Sequence, residues 1–164
     1  MNRALETQYP IQTEVLRGIQ DRAGQALEGL IIRSQLVLLQ VGSIFPLDLW
    51  PDRMVIDMSK VTIFSRQFLG VTTIHTIMLD EIRDVDLETT PFYATLRILV
   101  SGPGGVWTSI SNLRKEDGRR AKHIIDGLLI ARVERCNLEG LSLNDLVQKL
   151  CVLGGGPSAV SSCA

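Results

Sequence analysis

Six short runs rich in β-branched and aromatic residues follow one another from Arg53 to Leu113, and then the hydrophobic period changes to that of a helix. The runs are RMVID (Arg53 to Asp57), KVTIFSRQF (Lys60 to Phe68), VTTIHTIML (Val71 to Leu79), IRDVDLETT (Ile82 to Thr90), FYATLRILV (Phe92 to Val100) and VWTSISNL (Val106 to Leu113). Turn residues break the series about every 8 to 12 positions, as in a small sandwich or barrel. Met58-Ser59 and the glycines of Gly102 to Gly105 have the chemistry of hairpin turns. In RKEDGRRAKHIIDGLLIARVER the apolar positions Ala121, Ile124, Ile125, Leu128, Leu129 and Val133 predict one amphipathic helix over about residues 114 to 134, with Asn112 or Ser111 as its cap. The expected class is therefore α+β: an antiparallel sandwich or split barrel closed by one long helix.

Upstream, YPIQTEVLRGIQDRAGQALEGLIIR places Ile11, Val15, Ile19, Ala23, Ala26, Leu27 and Leu30 at helical spacing after Pro10. This predicts an extra amphipathic N-terminal helix within residues 1–33. SQLVLLQV (Ser34 to Val41) reads as a buried strand, and the prolines of GSIFPLDLWPD forbid regular structure after it. Phe45, Leu49 and Trp50 are expected to tuck under that connector. Downstream, LSLNDLVQKL predicts a short last helix within residues 141–153, capped by Ser142. LGGGPSAVSSCA supplies too little apolar surface to fold, so residues 154–164 are read as a disordered tail. The domain proper is assigned to residues 34–135.

The chain has 164 residues, enough to bury a core without staples. Its net charge of -1 does not fit a polyanion binder, and no nucleic-acid partner is expected. Cys136, Cys151 and Cys163 form no CxxC or Cys/His spacing and read as reduced thiols in a cytoplasm. No charged-then-apolar leader opens the sequence, and Glu28, Arg33, Ser34 and Gln35 interrupt its most apolar window, Leu27 to Phe45.

Three stretches invite a chemical reading. In LDEIRDVDLE (Leu79 to Glu88), acids alternate with Val85 and Leu87, so a strand puts Asp84, Asp86 and Glu88 on its wet face. A calcium loop starting at Asp84 needs glycine sixth and an acid twelfth, where Thr89 and Thr95 stand. SGPGGVW lacks the lysine of a phosphate loop and leads into a strand, which makes it a hairpin turn. His75 and His123 have no nucleophile motif beside them; a Cys136–His123 dyad is conceivable but unmarked, and the third reading, an enzyme of unknown reaction, requires Asp80, Glu81 or His75 to face one deep cavity. From Arg114 to Lys122 five basic residues stand against two acids at a helix start. Arg114, Lys115, Arg119, Arg120 and Lys122, with Lys60 and Arg66, are thus the candidate anion or lipid contacts. No catalytic residue, metal, cofactor or small-molecule substrate is expected.

Over residues 52 to 134 the chain resembles bacterial pleckstrin-homology-like (GRAM-like) domains. The likeness is carried by PDRMVIDMSKVTIFSR, IHTIMLDEIRDVDLET, FYATLRI and LRKEDGRRAKHIIDGLLIA, about half the chain. Within it Ile77, Leu79, Asp80, Glu81, Ile82 and Val85 match the pattern of a strand running through a tight turn into the next. FPLDLWPD is similar to a lead-in found in uncharacterised bacterial proteins. The resemblance implies a non-catalytic interaction or assembly module in a bacterial cytoplasm, with a protein partner or a second copy. The alternative is peripheral binding to an anionic membrane surface. The phosphoinositide-binding members carry a dense basic hairpin, where this chain has only Lys60 and Arg66. The tryptophan of their closing helix is absent here, and Trp107 lies in a strand.

Overall fold

The computed structural model describes residues 36–44, 49–67, 71–102, 104–136, 138 and 140–155. The chain divides into two units, Met1–Leu36 and Val37–Ala164, and apart from Leu36 everything described belongs to the second. The expected N-terminal helix, Phe45 and residues 156–164 lie outside the described residues.

The described residues are α+β, with two antiparallel sheets and no closed barrel among them. β1 (Val37–Gly42), β2 (Arg53–Asp57), β3 (Lys60–Arg66) and β4 (Thr72–Met78) form a four-stranded meander in that order. β5 (Ile82–Thr89), β6 (Ala94–Val100) and β7 (Val106–Leu113) form a three-stranded one. The helices α1 (Lys115–Val133) and α2 (Leu143–Leu153) follow. The sheets meet at one corner, where Ser43 bridges Leu113 and the Ile44 N–H donates to the Asn112 carbonyl at 2.8 Å.

Side-chain alternation builds the core. Met54 and Ile56 of β2, Val61 and Ile63 of β3, Leu96 and Ile98 of β6, and Ile110 and Leu113 of β7 are all buried. Ala121, Ile124, Ile125, Leu128 and Ala131 supply the matching stripe of α1. The stripe packs on β5 and β6 and reaches β1.

The cap of α1 differs from expectation. Arg114 occupies the cap position in extended conformation, with no side-chain cap. Asn112 is still in β7, at φ 57, and its carbonyl is spent on Ile44. Glu116 and Asp117 in the first turn answer the helix dipole instead. At α2 the expected cap is present, since the Ser142 hydroxyl accepts from the Asp145 N–H at 3.2 Å. Leu49 and Trp50 are exposed, not tucked under their connector.

α2 continues to Leu153, and Gly154 is packed structure, not tail. A Cβ at Gly154 would overlap the His123 carbonyl oxygen, and one at Gly127 would overlap the Leu150 carbonyl oxygen. Two glycines therefore let the helices approach backbone to backbone.

His123 sits at this crossing. Burial lowers its pKa from the ordinary histidine value, and nearby Lys122 and Arg119 push the same way against Asp126. The unfolded chain then binds more protons than the native one once pH falls below about 6.5. This contribution to stability is complete above that pH and is lost as pH falls toward the lowered native value. Urea unfolding from pH 7.5 to pH 5 is expected to show a steeper loss for the wild type than for His123→Gln. Equal slopes would show that His123 titrates alike in both states.

Candidate interaction surface

The acidic strand is a wet face. Asp84, Asp86 and Glu88 are exposed, Val85 is buried and Leu87 half-buried. Glu88 is paired across the strands with Arg97 at 2.8 Å. Among the described residues no group of three or more His, Cys, Asp or Glu could hold a metal ion. Asp80, Glu81 and His75 do not converge either. Asp80 lines a cleft of about 540 Å³ with Leu79, Leu128 and Arg132, its carboxylate 3.9 Å from the Arg132 guanidinium. Glu81 turns back to Met78 of β4, and His75 lies in exposed strand. His123 and Cys136 are on different turns, with Cys136 beyond the end of α1, roughly 15 Å or more along the axis.

The seven basic residues are spread over the molecule. Lys60 and Arg66 stand at opposite ends of β3, about 20 Å apart at the rise of a strand. Lys60 is at the β2–β3 turn, where its neighbour Ser59 borders the cleft at the C-terminal end of α1. Arg66 is at the other end, where its N–H donates to Asp52. Asp52 in turn accepts from Ser43, which bridges Leu113, so Arg66 shares an end of the molecule with Arg114 and Lys115. Lys122 is committed within the fold: its ammonium donates to the Val85 carbonyl at 2.6 Å and pairs with Asp126 at 2.9 Å. Arg120 is half-buried, with a shielded Nε. Only Arg114 and Arg119 are fully exposed on the helix start.

A second surface is free of charge. β4 is the edge of its sheet, and its pairing with β3 runs from Lys60–Met78 to Arg66–Thr72. The Val71 carbonyl accepts from Gln67 and the Leu79 N–H donates to Ser59, so odd-numbered residues face β3. Backbone groups of Thr72, Ile74, Thr76 and Met78 then point to the open side. Met78 is closed off, because its N–H donates to the Glu81 carboxylate and its carbonyl accepts from the Glu81 N–H. Thr72, Ile74 and Thr76 pair with nothing among the described strands. Their side chains are exposed, Ile74 by 58%.

Each of the other three edges carries a bulge, that of β7 lying where Leu113 and Ile110 pair with Ala94 and Leu96. β5 carries Arg83, Asp84, Asp86 and Glu88 and a bulge between Ile82 and Asp84. β1 is bulged between Val37 and Leu39, and its far end bridges β7. Charges and bulges are common protections of a sheet edge, and β4 has neither. Sequence reasoning named sheet edges in general but not this one. VTTIHTIML contains no Asp, Glu, Lys or Arg, but SQLVLLQV and VWTSISNL share that feature, so sequence alone did not single it out.

No protein-family model, no curated protein and no solved structure matches this chain. Among the described residues, no helix is long and apolar enough to cross a membrane.

Proposed function

We propose that this protein is a non-catalytic interaction module of pleckstrin-homology-like fold, acting in a bacterial cytoplasm by pairing the open edge of β4 with a strand of a protein partner. The observation that carries the reading is the row of uncharged backbone positions at Thr72, Ile74 and Thr76, which pair with no other strand among the described residues on their open side. An added strand gains main-chain hydrogen bonds there, and side-chain pockets beside the edge set its specificity. The fold assignment is supported by the order of elements: a four-stranded meander, a three-stranded meander, then a long helix packed on the second. Lys60 stands about 20 Å from Arg66 at the other end of β3, and Lys122 is committed to Val85 and Asp126, which weighs against the alternative of one anionic headgroup site.

Site-specific photocrosslinking in cells tests the proposal. A photoreactive residue replacing Thr76 is expected to give a discrete protein adduct. The same residue replacing Arg97, exposed on the other sheet, is expected to give none. No adduct from Thr76, or equal adducts from both positions, would overturn the reading.

A further inference from the structure

The partner strand is a second copy of β4. We infer that two chains pair antiparallel through this edge about a two-fold axis at Ile74, joining two four-stranded sheets into one of eight strands. This rests on the proposed role of the β4 edge and names its partner.

The edge is self-complementary about Ile74. Its outward-facing positions are Thr72, Ile74 and Thr76, the same residue type at equal distance on each side of the centre. Under a two-fold axis Ile74 meets Ile74 of the second copy, and each Thr72 meets a Thr76. These are the hydrogen-bonded pairs of an antiparallel ladder, and three of them supply about six backbone bonds. Moving the axis to Thr76 shortens the ladder, because Met78 is already bonded to Glu81, and moving it to Thr72 sets Ile74 opposite a position outside β4.

The side chains agree with the same centre. On the outer face Ile74 lies beside Phe64 of β3, so two Ile74 and two Phe64 side chains form one apolar row across the joined sheet. On the other face Thr73 meets His75 of the second copy, which sets no like charges opposite each other. The nearest formal charges stand at the ends of the ladder: Glu81, whose carboxylate closes off Met78, and Arg66 and Lys60 on β3. An isologous contact of this kind closes on itself and does not propagate into a fibre. It is a small interface, so the expected Kd is roughly micromolar.

Register-specific cross-linking of the full-length chain tests the inference, in a background with Cys136→Ser and Cys163→Ser. Residues paired across the ladder have Cα atoms about 5.5 Å apart, within disulfide reach. Ile74→Cys is expected to give a disulfide-linked dimer under mild oxidation. Thr72→Cys alone is expected to give none, and Thr72→Cys mixed with Thr76→Cys to give the mixed dimer. Sedimentation from about 1 to 200 μM should show a reversible monomer–dimer equilibrium. Ile74→Lys, which sets two ammonium groups across the axis, should leave monomer only, with a thermal midpoint equal to that of the wild type at concentrations where the wild type is monomeric. A monomer at every concentration, or cross-linking that ignores position, would overturn the two-fold pairing. A Thr76 photoadduct to a different protein would then leave edge pairing standing without self-pairing. Loss of both results would remove the edge reading as well.

Discussion

Gly127→Ala is expected to destabilise the protein by about 3 kcal/mol, the upper end of overpacking costs, and to lower the thermal midpoint by roughly 10 °C. The direction is the informative part. In an exposed helix interior, glycine to alanine is stabilising by about 1 kcal/mol. Here the added Cβ would overlap the Leu150 carbonyl, which belongs to backbone and cannot rotate aside. Either α2 moves away from α1, exposing Leu146, Leu150 and Cys151, or the crossing distorts. Gly154→Ala meets the His123 carbonyl in the same way and is expected to act alike. Gly118→Ala is the internal comparison. Its Cβ would stand 3.0 Å from a Leu87 methyl and 3.1 Å from the Ala94 Cβ. Half-buried Leu87 can turn, and the Ala94 Cβ needs to give by only a few tenths of an ångström, so the cost there is expected to be well below that at Gly127 after the gain in helix propensity. Chemical unfolding of the three variants checks the order. A Gly127→Ala protein as stable as the wild type would mean that the helices are not in backbone contact.

Asp57→Ala is expected to cost about 2 kcal/mol, through the β2–β3 turn. Asp57 is the buried acid of the described core, 5% exposed. Its Oδ1 accepts from the Ser59 N–H at 2.9 Å, the Ser59 hydroxyl at 3.1 Å and the Lys60 N–H at 2.8 Å. Alanine leaves two backbone donors without this partner at the turn that sets the register of β2 on β3. Asp57→Asn keeps an acceptor oxygen and should lose less than half as much. Equal losses from the two variants would assign the effect to charge and not to the acceptor geometry. Since β3 carries β4, loss of register at this turn should also weaken the pairing edge. The two variants can be compared in the Ile74→Cys cross-linking assay.

Much of the fold was legible because its signals are local. β2 and β7 begin and end where the runs RMVID and VWTSISNL do, and α1 lies within a residue of its apolar period. Asp84, Asp86 and Glu88 came out wet because alternation along one strand needs no knowledge of its neighbours. The candidate site was less legible. The basic residues 114 to 122 are a cluster in sequence, yet a helix turns them in different directions and the fold uses Lys122 to hold Val85 and Asp126. The cap of α1 was misplaced because β7 runs on through Asn112 to Leu113, where the Asn112 carbonyl joins it to Ile44, and the helix begins only at Lys115.

What the sequence determined by itself is the inventory: β-branched runs at period two, one helix at period 3.6, a capped last helix, and a nine-residue stretch without a charge. The tertiary structure alone decided which strand became an edge, since strand order depends on which hairpins stack and where the chain turns from one sheet into the next. It also decided that Gly127 and Gly154 are contact surfaces and not helix breakers. Periodicity records how each residue faces its own element. Edges and close approaches are properties of pairs of elements, and they exist only once the sheets and helices have been assembled.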